Sequence, residues 1–133
     1  MAVQLSVDVR NARLDSIEST TGTAPTLEIR TGAQPTNCAA GDSGTLLASM
    51  TLPSDWMNAA SGGTKTLTGT WQDLNADAGG TAAHFRIKQG ATCHLQGSVT
   101  ATGGGGDLEL SSTSISAAQA VTITGFTLTD GNA

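Results

Sequence analysis

Apolar residues recur mostly at every second position along the chain, in short runs broken by glycine, proline and small polar residues, the pattern of half-buried β-strands. Leu27 and Ile29 alternate with Glu28 and Arg30, and Leu46, Ala48, Met50 and Leu52 share one parity until Pro53. Alternation resumes from Lys65 to Trp71, and again where Leu108 and Leu110 alternate with Asp107 and Glu109. In the last run Val121 and Ile123 lie on one parity and Phe126 and Leu128 on the other, so a bulge at Gly125 is predicted to reverse the facing.

Residues 82–89 and 93–99 flank Gly90-Ala91-Thr92 and predict a hairpin. A two-residue loop would pair Ile87 with His94 and mix apolar and polar side chains on one face. A three-residue loop pairs Ile87 with Leu95, Phe85 with Gly97 and Ala83 with Val99, and sets Lys88 opposite His94 and Arg86 opposite Gln96. Between the strands, residues 34–44 read as a long polar loop, residues 54–58 as one helical turn capped by Ser54, and the glycines 103–106 as a flexible connector.

The first segment carries two competing periods. Val3, Leu5, Val7 and Val9 alternate, whereas Val7, Leu14 and Ile17 recur at helical spacing. Ser6 as N-cap and Asp8 in the first turn favour a short arm followed by a helix over residues 7–19, stopped by Thr20-Thr21-Gly22. The predicted fold is therefore mainly β: a seven-stranded antiparallel β-sandwich, jelly-roll-like in preference to immunoglobulin-like. Residues 1–22 form its N-terminal arm and helix and residues 23–133 the sandwich, together a single compact domain.

Composition narrows the function. Of 133 residues, 69 are Thr, Ala, Gly or Ser, with no Tyr and only two Phe, two Trp and two His, which points to a packing or interaction module. A net charge of −5 with six basic residues argues against nucleic-acid binding, although Arg10, Arg13 and Arg30 allow a local basic patch. No run approaches membrane-spanning length and no export signal opens the chain, so a soluble protein made in a cytoplasm is expected. Cys38 and Cys93 then read as free thiols, their pairing left open by the sequence.

Each apparent reactive cluster fails on spacing. The run from Asp73 to Gly79 offers alternating oxygen ligands, but the sixth and twelfth positions of a calcium loop hold Ala78 and His84 where Gly and Glu are needed. Cys38, His84, Cys93 and His94 lack zinc spacing, and the two histidines read as surface residues beside Arg86 and Lys88. The glycine run lacks the Lys-Ser/Thr of a phosphate loop, and no nucleophile elbow or carboxylate pair stands out. Neither a cofactor nor an enzymatic activity is expected. Trp71 reads as core, and Trp56 as core, interface anchor or sugar-stacking platform.

The segments Arg10-Asn11-Ala12-Arg13-Leu14-Asp15-Ser16-Ile17-Glu18, Leu27-Glu28-Ile29-Arg30-Thr31-Gly32, Thr51-Leu52-Pro53-Ser54-Asp55-Trp56-Met57, Gly69-Thr70-Trp71 and Phe126-Thr127-Leu128-Thr129, in that order, resemble the capsid cement, or decoration, proteins of tailed bacteriophages and prophages. The resemblance spans nearly the whole chain and rests on segment order. It implies a jelly-roll-like sandwich on the outer face of a capsid, made in the bacterial host cytoplasm and carried on the virion. There it would bridge neighbouring major capsid subunits and self-associate as a dimer or trimer, without nucleic acid or membrane. Arg10, Arg13, Leu14, Ile17 and Trp56 are the candidate partner-binding residues. A tail or head-fibre module and a carbohydrate-binding β-sandwich are the alternative readings.

Overall fold

A computed structural model describes residues 3–131. Met1, Ala2, Asn132 and Ala133, the outermost residues of the two predicted regions, lie outside the described residues. Helix α1 spans Val7–Thr21, with the Ser6 side chain accepting from the Val9 N–H and the Gly22 N–H donating to the Glu18 carbonyl. Ten strands follow: β1 (Thr26–Arg30), β2 (Leu46–Thr51), β3 (Thr64–Thr66), β4 (Gln72–Asp73), β5 (Gly80–Thr81), β6 (His84–Gln89), β7 (Thr92–Ala101), β8 (Leu108–Leu110), β9 (Ser114–Ile115) and β10 (Val121–Thr129). The protein is thus mainly β with one N-terminal helix, an architecture consistent with a β-sandwich.

One eight-stranded sheet runs β2-β1-β6-β7-β8-β10-β3, with β4 attached to β10, and β5 pairs separately with β9. Every ladder is antiparallel except β7 with β8, which makes the large sheet mixed. Three of the ten strands, β4, β5 and β9, are only two residues long. Such short pairings leave no readable alternation, which is why seven strands are visible in the sequence pattern.

The β6–β7 register keeps Ile87 opposite Leu95, Phe85 opposite Gly97 and Arg86 opposite Gln96 as predicted, but its turn differs. Gln89 pairs with Thr92, so the loop is the two-residue Gly90-Ala91, and Lys88 faces Cys93 in place of His94. His94 is the extra residue of a bulge beside the Ile87/Lys88 step. A bulge absorbs the one-residue offset that a two-residue loop would otherwise pass along the whole ladder. The predicted break in β10 is present, with the ladder to β8 shifting register between Ile123 and Gly125.

Two local expectations are corrected. Residues 54–58 form no helical turn: Met57 bridges to Leu67, and the Asn58 and Thr68 N–H groups donate to the Thr66 and Trp56 carbonyls. Cross-chain pairing satisfies this backbone and holds it extended. Residues 103–106 are no flexible connector either, because the chain doubles back there so that Val99, Thr100 and Ala101 run parallel to Leu108, Glu109 and Leu110. Gly103 and Gly105 take φ of +85° and +83°, while a Cβ on Gly104 or Gly106 would stand 2.8 Å from the Thr100 side chain.

The core lies against one face of the sheet. Leu27, Ile29, Met50, Phe85, Ile87, Val99, Leu108, Leu110, Ile123 and Phe126 are all buried in it. All four aromatic residues of the chain link into one series through this core. Trp56 and Trp71 lie 5.9 Å apart, Trp71 and Phe126 5.4 Å, and Phe126 meets Phe85 edge-on at 5.5 Å. Both indoles have an acceptor, Trp56 in the Gly22 carbonyl and Trp71 in that of Thr68. Trp56 therefore ties the end of α1 to the core.

The tight return between β7 and β8 predicts that Gly106→Ala lowers stability by about 1–3 kcal/mol through overpacking against Thr100. Urea unfolding of the variant checks this, and a midpoint equal to the parent's would restore the flexible connector.

Candidate interaction surface

Strand β6 is covered on both faces. Phe85 and Ile87 enter the core, while His84, Arg86 and Lys88 point the other way and are also buried, at 1%, 2% and 8% exposure. The loop over residues 34–44 covers that second face. Arg86 donates through Nη1 to Asp42 Oδ1 at 2.6 Å and through Nη2 to the Cys38 and Ala40 carbonyls at 3.0 Å each. Lys88 Nζ is held by Asp42 Oδ2 and by Glu28 Oε1, the latter at 3.0 Å, and Arg30 bonds the same Glu28 oxygen at 3.0 Å. Three cations thus share two carboxylates beneath a loop.

The charges hold one another. The Lys88 hydrogen bond holds the Asp42 carboxyl below its ordinary value, outweighing the burial that would raise it, and the Arg86 hydrogen bond adds to this. Burial pushes Lys88 down, yet its bonds to Asp42 and Glu28 leave it raised, and Arg86 is raised against burial in the same way by Asp42. Both cations stay charged in place. Sequence reasoning placed Arg86 and Lys88 on an outer face because it could not see Asp42, more than forty residues away, folding over them.

His84, expected on the surface, is buried, with Nδ1 2.8 Å from the Gly32 carbonyl. It caps the end of the ladder beside β1, where exposed solvent was anticipated. His94 lies partly buried in the β6–β7 bulge, lining a shallow groove with Ile17, Thr21 and Leu95. Cys38 and Cys93 are free thiols, both partly buried. Burial pushes the Cys93 thiol up to about 11, the neighbouring Cys38 adding to the effect and Arg86 opposing it. Among the described residues no group of three or more His, Cys, Asp or Glu is placed to hold a metal, and no helix is long and apolar enough to cross a membrane.

The five candidate partner-binding residues separate by burial. Trp56 is fully buried and Leu14 is 3% exposed, so both are core anchors with no surface to offer a partner. Their burial also removes Trp56 as a sugar-stacking platform, and Trp71 is buried with it. Arg10 is half-buried and donates to the Asp130 carbonyl at 3.2 Å. Ile17 is half-buried at the edge of two shallow grooves. Arg13 is the open one: its side chain is 61% exposed, and Nε meets Asp130 Oδ2 at 3.1 Å.

Helix α1 docks through polar groups. Asn11 Oδ1 accepts the Gly63 N–H, and Asp15 Oδ1 accepts both the Ala60 N–H and the ammonium of Lys65, a side chain only 1% exposed. Lys65 also donates to the Asn58 carbonyl and lies 3.8 Å from Glu18. Asn11, Asp15 and Glu18 are spaced by four and three residues, so the face turned to the body carries carboxylates and an amide around one apolar residue, Leu14. The Lys65 hydrogen bond, with that of Ala60, holds Asp15 below its ordinary value. The outer face keeps Val9 exposed one turn before Arg13, while Val7 in the first turn and Val3 in the preceding arm are exposed as well.

No family model, curated protein or solved structure matches the chain.

Two outcomes follow from these pairings. Asp42→Ala uncovers the charges of Arg86 and Lys88 and is expected to cost about 1–3 kcal/mol, toward the low end of a broken buried pair because Asp42 itself is partly solvated. Asp42 and Asp15 both titrate below their ordinary 3.8 in the folded protein. Their stabilisation is therefore present above that value and is lost as pH falls through the lower folded values. Thermal melts of parent and Asp42→Ala should differ at pH 7 and converge in strong acid; a constant difference at all pH values would contradict the pairing. For Cys93, a pKa of about 11 against the ordinary 9.0 makes the thiolate about a hundredfold scarcer at neutral pH. Burial, the larger cause, persists when Cys38 is replaced, so iodoacetamide should still modify a Cys38→Ser variant more slowly than a free cysteine, and equal rates would exclude burial as the cause.

Proposed function

We propose that this protein is a structural component of a virus particle, a cement-type β-sandwich that binds the outside of a tailed-phage capsid and bridges its major capsid subunits. The observation that carries the reading is where the reactive side chains go. Arg86, Lys88, Lys65 and both tryptophans are buried, the cations paired with Asp15, Asp42 and Glu28, while Val9 and Arg13 on the outer face of α1 and Val7 in its first turn remain exposed. A body built this way suits a rigid spacer that presents a surface. The segment order that resembles phage cement proteins supplies the identity of the surface it would meet.

Binding would proceed by repetition. One copy contributes a modest contact, and a self-associated dimer or trimer reaching several capsid subunits makes each later contact intramolecular, so that the assembly holds where a single contact would dissociate. Preference for one state of the shell would stabilise that state by mass action. The outer face of α1 is the contact in this reading, with Arg13 supplying charge and Val9 supplying apolar area, extended by exposed Val7 in the first turn and Val3 in the arm. Leu14 and Trp56 act one step behind, fixing the helix on the body.

Incubating the purified protein with expanded shells that lack it, followed by imaging, is expected to show regular added density on the shell. No density, or density on tails alone, would contradict the proposal. Deleting the helix would uncover Lys65 and confound binding with folding. The sharper variant is Val9→Asp with Arg13→Glu, whose new acid near the helix N-terminus is compatible with the dipole. It is expected to keep the parent melting temperature within a few degrees and to lower shell occupancy by about tenfold. Unchanged occupancy would remove α1 from the interface.

A further inference from the structure

Cys38 and Cys93 are far apart in sequence and come to the same side of β6, Cys38 in the loop that covers it and Cys93 on the neighbouring strand β7. The bulge at His94 sets Cys93 opposite Lys88, on the face that also carries Arg86. Over the same face passes the backbone of residues 37–42, bonded to Arg86 at the Cys38 carbonyl and to both cations at Asp42. The Cys38 carbonyl lies 3.0 Å from Arg86 Nη2 on that face, and both Cys38 and Arg86 are near enough to Cys93 to act on its charge. Both cysteines are free and partly buried.

We propose that Cys38 and Cys93 are an oxidisable pair that forms an intramolecular disulfide with a low-molecular-weight disulfide such as glutathione disulfide as oxidant. One cysteine attacks as its thiolate, forming a mixed disulfide and releasing one glutathione thiolate. The other cysteine then attacks the protein-side sulfur, closing the Cys38–Cys93 bond and releasing the second glutathione thiolate. The two thiol protons pass to the two released thiolates, so the protein is oxidised by two electrons while one glutathione disulfide becomes two glutathione molecules.

The bond would join the loop to β7 at the edge of the charge cluster. It would hold Asp42 over Arg86 and Lys88 by a covalent tie in addition to ion pairing. It also constrains the unfolded chain by closing a loop of about 55 residues, long enough for a substantial entropic contribution. The inference is independent of what the protein binds.

The test is oxidation of the full-length folded protein with glutathione disulfide, read by intact mass, peptide mapping and thermal melting. The expected product is a monomer that has lost two hydrogens, with the Cys38 and Cys93 peptides linked and a melting temperature about 10 °C above that of the reduced form. Cys38→Ser and Cys93→Ser should each stop at a single glutathione adduct. A parent protein that stays reduced, stops at glutathione adducts or forms disulfide-linked dimers would overturn the proposal, as would a bond that closes only in denaturant. The mass of the parent decides the matter even where a serine variant fails to fold.

Discussion

The structure turns on the burial of three basic side chains beside the core strand β6 and its neighbour β1. A strand with one face in the core ordinarily leaves the other to water, but His84, Arg86 and Lys88 are as buried as Phe85 and Ile87 between them. Removing the Arg86 and Lys88 cations from water costs several kcal/mol each unless counter-charge and hydrogen bonds replace the solvent. Asp42 and Glu28 supply that replacement, with loop carbonyls filling the remaining donor positions of Arg86. The long polar loop over residues 34–44 is consequently part of the fold. Its path is set by the groups beneath it, and that path brings Cys38 to the side of β6 on which Cys93 lies.

The same solution recurs at the helix. Lys65 is buried on β3 and is answered by Asp15, with Glu18 nearby, so α1 is attached through a buried cation and its carboxylates more than through an apolar stripe. Leu14 and the bond from Trp56 to Gly22 supply the apolar part. Of the six basic residues in the chain, Arg30, Lys65, Arg86 and Lys88 are taken up by these contacts. What remains outside is largely small and hydroxyl-bearing, with Val3, Val7, Val9, Leu74, Arg13 and the acids Asp8, Asp55, Asp77 and Asp107 as its main departures. A role exercised through surface contact fits that distribution of chemistry.

Local rules made some features legible in the sequence and long-range pairing hid the rest. The Ser6 cap, the β6–β7 register near Ile87 and the break in β10 at Gly125 each depend on residues a few positions apart, so alternation and capping chemistry expose them. The turn was misjudged because a three-residue loop and a two-residue loop with a bulge at His94 satisfy the same core pairs. Parallel pairing of β7 with β8 went unseen because four glycines permit both a flexible linker and a tight return. Of the candidate contact residues, Leu14 and Trp56 are core because the helix packs on its Leu14 side and the chain after Pro53 is drawn inward by Met57 and Trp71. Alternation could not show that polar positions on β6 are buried, since their partners come from a loop with no periodic pattern.

The cations of β6 are structural groups enclosed by the loop. Proton exchange at the Arg86 guanidinium, followed by nuclear magnetic resonance at neutral pH, measures that enclosure at its centre. Separately resolved Nη protons that exchange slowly and show contacts to residues 37–42 are expected. A guanidinium with averaged, rapidly exchanging protons, like that of a solvent-exposed arginine, would contradict it.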